Sequence, residues 1–177
     1  MQMQDCLAII DVQNDFVDGA LGTKEAQAML PSLVKRASSF QGKVVCTMDT
    51  HGKDYLETPE GRSLPVPHCI RGTKGWELAP AIAEIAKRTG AAIYEKPVFG
   101  SLRLAQDLAS SFKRGEIGSV ELCGLCTDIC VISNAVLIRT LCPELPVIVN
   151  SRCCAGVTPK KHEAALEVMA SLQISII

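Results

Sequence analysis

Aromatic side chains are scarce in this chain of 177 residues, where one Trp, two Tyr and four Phe amount to 4%. With 47% hydrophobic residues overall, the core is expected to be aliphatic. Charge of one sign is also missing: 18 Lys and Arg face 19 Asp and Glu, for a formal net charge of −1. No basic run is long enough to track a phosphate backbone, so no nucleic acid partner is expected. No apolar run reaches membrane-spanning length, so no membrane association is expected either. The apolar run Cys6–Val12 follows the first residues directly, without the basic flank of a leader, and a cytoplasmic location is the expectation. No proline- or serine-rich linker divides the chain, which predicts one domain over residues 1–177. The absence of a Gly-x-Gly-x-x-Gly after the first apolar run argues against a dinucleotide site.

Cysteine is the exception to this economy, with nine residues. An odd number, in a reducing compartment and partly inside apolar strands (Cys6, Cys46, Cys123), speaks against a disulfide framework. Cys123, Cys126 and Cys130, with Cys153-Cys154 as a further ligand, have the spacing of a metal knuckle. A strand-to-helix geometry spreads such thiols in different directions, and most of these cysteines are read as core filler.

Hydrophobic periodicity gives an alternation of strands and helices. Cys6–Val12, Lys43–Thr47, Ala91–Tyr94, Ser119–Leu122, Pro146–Val149 and Ile174–Ile177 read as strands. Helices are expected through Ala26–Ala37, Pro80–Lys87, after Ser101, over Cys130–Leu141 and over Pro159–Ala170, the last opened by a Thr158-Pro159 cap. Right-handed βαβ connections then give an α/β fold of three layers: a doubly wound, six-stranded, mainly parallel sheet of Rossmann-like order 3-2-1-4-5-6, with helices on both faces.

In such a sheet the carboxyl ends of the strands share one edge, and four chemically capable positions fall there: Asp11, Asp49, Lys96 and the turn Gly124-Leu-Cys-Thr-Asp-Ile-Cys-Val131. Asp11 ends a fully apolar run, where a carboxylate is either a turn anchor for Gln13–Gly19 or a buried general base. Thr127 or Asp128 is expected to cap the helix that follows the turn. Cys130 then lies in the first helical turn, where the dipole and a nearby Lys96 ammonium favour a thiolate. Asp49, His51 and His68 form a second group of oxygen and imidazole donors that suits Zn²⁺, Mn²⁺ or Fe²⁺, with Asp49 and His51 on one face of an extended segment. Glu60 is either a fourth ligand or a surface carboxylate. His162, on a helix, is read as structural.

Asp11-Val-Gln-Asn-Asp-Phe16, Asp49-Thr-His51, His68-Cys-Ile-Arg-Gly-Thr73, Lys96 and the Gly124–Val131 turn occur in one order over nearly the whole chain. In that combination the sequence resembles the isochorismatase-like cysteine hydrolases, and among them the nicotinamidases. The resemblance implies a hydrolase of linear amides, acting in NAD salvage on a small aromatic amide. Cys130 is then the nucleophile, Asp11 the proton-transfer residue and Lys96 the cation supporting both. Asp49, His51 and His68 match the family's metal positions, with zinc foremost and Mn or Fe as alternatives, and Glu60 stands where some members carry a further ligand. A cis peptide is implied at Leu125-Cys126, with the backbone N–H groups of Cys126 and Cys130 forming an oxyanion hole. Phe16, Phe99 and Leu125 are placed at the substrate, and a homo-oligomer is expected. Two departures bear on specificity: many members carry a Trp shortly before the His68 position, where this chain has Ser63-Leu-Pro-Val-Pro67, and Pro97-Val-Phe-Gly-Ser101 lacks a Tyr. The competing readings are another amide, carbamoyl or isochorismatase-type hydrolase of the superfamily, and a non-catalytic α/β scaffold.

Overall fold

A computed structural model describes residues 3–177; Met1 and Gln2, which begin the stretch examined for a leader, lie outside them. Six strands, β1 (Gln4–Ile10), β2 (Lys43–Asp49), β3 (Ala92–Lys96), β4 (Ile117–Leu125), β5 (Val147–Ala155) and β6 (Ser175–Ile176), form one sheet in the order β3-β2-β1-β4-β5-β6. Every pairing is parallel. β1 sits in the middle because Cys6 through Ile10 are apolar without interruption and have no accessible surface, which only a strand covered on both faces allows.

The helices divide between the two faces as right-handed crossovers require. α2 (Lys24–Ser39) packs with α4 (Pro80–Thr89), whereas α5 (Leu102–Lys113), α6 (Ile132–Leu141) and α7 (Pro159–Ser171) pack in succession on the other face. Thr23, Ser101 and Thr158 cap α2, α5 and α7 through their hydroxyls. A short helix, α1 (Asn14–Val17), follows β1. The long segment after β2 carries only a 3₁₀ turn (Tyr55–Glu57) and α3 (Pro59–Ser63).

β1 spans Gln4–Ile10 in place of the expected Cys6–Val12, because the chain leaves the ladder at Asp11, and three further boundaries differ from the periodicity for a physical reason. β3 runs on through Glu95 and Lys96, since Lys96 pairs with Asp49 in the ladder despite the following proline. β5 continues beyond Val149 through the polar residues 150–152: after a register shift, Cys154 and Ala155 pair with Gly124 and Leu125. The helix expected at Cys130 begins earlier, with a π turn over Thr127–Val131 that runs directly into α6. Thr127 and Asp128 do not cap it. The N-cap position is Cys126, which makes no side-chain cap bond.

Reversal of the winding direction occurs between β1 and β4, and the two strands approach closely there. Gly124 has φ 126°, and a Cβ at that position would stand 2.1 Å from the Ile10 carbonyl oxygen. Only glycine lets the two strand ends close together, and this brings the residue after β1, Asp11, beside the turn that carries Cys130.

Candidate active site

Asp11 follows β1 with φ 49°, a left-handed conformation that turns its side chain out of the ladder. Its amide donates to Thr47 Oγ1 at 3.1 Å, and the same hydroxyl donates to Asp11 Oδ1 at 2.6 Å. Oδ2 lies 2.6 Å from Lys96 Nζ, a buried ion pair. Lys96 Nζ in turn stands 3.5 Å from Cys130 Sγ. The three groups drawn from β1, β3 and the β4 turn therefore meet, and all are buried.

Protonation states follow from that burial. Desolvation raises the Asp11 carboxyl against the opposing pull of Lys96, with the Asp49 charge adding to the rise. Lys96 is held above its ordinary value: burial acts to lower it, but Asp11, Cys130 and Asp49 together outweigh the loss of water. The Cys130 thiol is pushed well above its ordinary value, first by burial and then by Asp11, with Lys96 opposing. Burial thus works against the thiolate that the helix dipole and Lys96 favour. One ammonium already serves Asp11 and Asp49, and a third anion in the same dry volume lacks a counter-charge.

A π turn places the sulfur. The amides of Ile129 and Val131 both donate to the Cys126 carbonyl, at 3.0 and 3.1 Å, the second bond spanning five residues. Asn134, which sequence reasoning missed, donates to the Cys130 carbonyl at 2.8 Å and accepts from the Ser101 amide at 2.9 Å. The peptide Leu125–Cys126 is cis, as the resemblance implied. The outer side of the turn is tied to the start of α7: Thr127 Oγ1 bonds His162 Nδ1 at 2.8 Å, and Asp128 Oδ1 accepts from the Val157 amide at 2.9 Å. His162 is accordingly structural.

A second centre lies against the first. Asp49, His51, Glu60 and His68 each direct one ligand atom into a group whose members all lie within 4.8 Å of one another. Asp49 Oδ2 is 3.0 Å from His51 Nε2 and 3.5 Å from His68 Nε2, and Glu60 Oε1 is 3.8 Å from both. Glu60 therefore belongs to the group and is not a surface carboxylate. His68 Nδ1 donates to the Val66 carbonyl at 2.8 Å, which directs Nε2 at the centre. Two carboxylates and two imidazoles in this arrangement fit a divalent cation of the Zn²⁺, Mn²⁺ or Fe²⁺ type. Burial acts to raise Asp49, but hydrogen bonds to His51 and His68 and the Lys96 charge hold it below the carboxylate range. Asp49 joins the two centres, because its Oδ1 faces Lys96 Nζ at 3.4 Å.

Both centres open onto one cavity of about 260 Å³. Cys126 and Cys130 lie on one side and Asp49, Glu60 and His68 on another, while Phe16, Leu64, Phe99 and Ile129 supply apolar walls. Phe16 also packs on the His68 ring, 5.5 Å between centroids. Phe99 is half exposed at the rim, and Leu125 is not among the lining residues, its side chain being buried in β4. Lys161 at the rim and Tyr55, wedged between both imidazoles at 4.7 and 5.0 Å, were not foreseen. Tyr55 carried no signal in the sequence, because its placement depends on the folding of an irregular loop. The cysteine knuckle does not form: among the described residues all nine cysteines are free, and none joins a group able to hold a metal.

The isochorismatase domain family model matches residues 5–177. An uncharacterised isochorismatase-family protein of Bacillus subtilis, PncA, is 30% identical over 179 residues, 96% of either chain. Among solved structures, a nicotinamidase from Bacillus subtilis superposes with a TM-score of 0.83 at 28% identity, covering 98% of this chain and 99% of that one. A pyrazinamidase of Pyrococcus horikoshii in complex with zinc gives 0.76 at 25% identity, covering 98% of each. Among the described residues no helix is long and apolar enough to cross a membrane.

Proposed function

The chain belongs to the isochorismatase family, and from that premise we propose that it is a metal-dependent nicotinamidase, converting nicotinamide to nicotinate and ammonia through a thioester on Cys130. The observation that carries this reading is the meeting of Asp11, Lys96 and Cys130 beside a four-ligand group across one small cavity. The relatives named as nicotinamidase and pyrazinamidase support it.

In this mechanism Asp11 begins as a carboxylate and takes the Cys130 proton, and the sulfur attacks the carboxamide carbon. Lys96 stays an ammonium throughout and stabilises the charge that moves between Asp11 and the sulfur. The backbone N–H groups of Cys126 and Cys130 receive the oxyanion of the tetrahedral species. When it collapses, the C–N bond breaks and Asp11 gives its proton to the departing ammonia. Water then adds to the thioester, giving its proton to Asp11; the C–S bond breaks, and the proton returns to sulfur as the acid leaves. Asp49, His51, Glu60 and His68 would hold the metal, zinc foremost, which would supply a Lewis-acidic point that orients the aromatic amide. Phe16 packs along the ring.

Ammonia release from nicotinamide by metal-replete protein, lost in Cys130→Ala, tests the reading. Metal-replete wild type that leaves nicotinamide intact overturns it. One observation favours a second reading, a related small aromatic amide as substrate. The only Trp, Trp76, donates its indole N–H to Thr50 at 2.9 Å and does not line the cavity, and the half-exposed Phe99 and Leu64 stand where a closed ring wall is needed. A panel of pyridine, pyrazine and carbamoyl amides separates the two by kcat/KM.

A further inference from the structure

We propose that Gln13 and Asp15 are positioning residues of the metal centre, bracing from the exit of β1 the two segments that carry its ligands. The inference rests on the metal-dependent reading above. Neither side chain takes part in the chemistry described so far, although both stand in the Asp11–Phe16 motif.

Gln13 has no accessible surface, and its side chain is fully used. β1 leaves the ladder at Asp11, so the backbone of Asp49, which pairs with Lys96 of β3 on one side, has no strand on the other. The Gln13 amide takes that strand's place: Oε1 accepts from the Asp49 N–H at 2.7 Å and Nε2 donates to the Asp49 carbonyl at 2.8 Å. The remaining Nε2 hydrogen goes to the Trp76 carbonyl at 2.7 Å. A neutral group with one donor edge and one acceptor edge is needed here, and glutamine is long enough to present both. Asp49 is thereby fixed where its two oxygens serve different centres.

Asp15 does the same for the histidines. Its Oδ2 accepts from the Cys69 amide at 2.8 Å, fixing the residue after His68 in a left-handed conformation with φ 47°. The Cys69 carbonyl accepts from the His51 amide at 3.0 Å, so both imidazole-bearing positions refer back to one carboxylate. Gly75 packs against that carboxylate so tightly that a Cβ there would lie 2.1 Å from Oδ2. Ligands that must hold a geometry to within roughly 0.5 Å need such support, and loss of comparable outer partners weakens metal binding about 10–100-fold.

The test is Zn²⁺ affinity measured by competition with a chromophoric chelator. Gln13→Ala and Asp15→Ala are expected to bind about 10–100-fold more weakly than wild type, and Asp15→Asn, which keeps an acceptor for Cys69, less weakly than Asp15→Ala. Asn14→Ala removes only the bond to the Lys74 carbonyl in the same loop and is expected to bind as wild type does. Iodoacetamide labelling of Cys130 in metal-free protein is expected to be unchanged in the Asp15 variants, which a general loosening would not allow. Should Gln13→Ala not fold, the neutral and similarly sized Gln13→Met, which loses all three bonds, takes its place. Unchanged affinity in the Gln13 and Asp15 variants, or an equal loss in Asn14→Ala, overturns the bracing role. Wild type that binds no Zn²⁺ removes the metal reading along with it.

Discussion

The two halves of the site are built on opposite principles. Asp11, Lys96 and Cys130 sit at or just beyond strand ends, are buried, and set one ammonium beside a carboxyl and a thiol that burial pushes up. Asp49, Glu60, His51 and His68 gather two carboxylates around two imidazoles, three of the four coming from the long segment after β2. The first half holds its own ammonium, whereas the second sets two carboxylates together with only Asp49 facing Lys96, an arrangement that suits a cation from outside. In the proposed mechanism, chemistry and substrate orientation fall to separate centres, with Asp49 shared between them.

The largest effect expected is on the first half. Cys130→Ala should reduce kcat by roughly 10⁶-fold, the scale seen when a covalent nucleophile is removed, measured as ammonia release. Lys96→Met leaves Asp11 buried and unpaired and should destabilise the protein by about 3–5 kcal/mol in urea unfolding, and adding Asp11→Asn should recover much of that. On the second half, chelation or His68→Ala should raise KM for nicotinamide by tenfold or more while folding survives, because His68 lies outside the sheet. A smaller effect separates the centres by pH. Since the Cys130 thiol is held well above its ordinary value, its thiolate fraction, and hence its alkylation rate, should climb about tenfold per pH unit from 7 to 9 without a plateau. A plateau near pH 7 would restore the resting thiolate. Thr47→Val, which removes the 2.6 Å bond to Asp11 Oδ1, should cost the least, about tenfold in kcat.

That contrast also explains what the sequence made legible. Strand ends are fixed by apolar runs, so periodicity and the crossover rule alone place Asp11, Asp49, Lys96 and the Cys130 turn at one edge, and the observed order β3-β2-β1-β4-β5-β6 is the expected one. The role of Glu60 stayed open, since its position depends on how a loop with little periodic structure closes over β2. The bonds from Gln13, Thr47 and Asn134 were invisible because they join residues 33 to 36 positions apart through side chains. The pull on Cys130 was only partly legible for a related reason: helix-terminus logic is local, whereas the desolvation that pushes its thiol up comes from the whole fold packed around it.

The claim that both centres face one substrate is tested most directly by protection of Cys130. Metal-replete and chelated protein are alkylated with iodoacetamide with and without nicotinamide, and labelling of the Cys130 peptide is followed by mass spectrometry. Nicotinamide should protect Cys130 strongly in the metal-replete protein and weakly after chelation. Equal labelling with and without nicotinamide in the metal-replete protein would contradict the shared site.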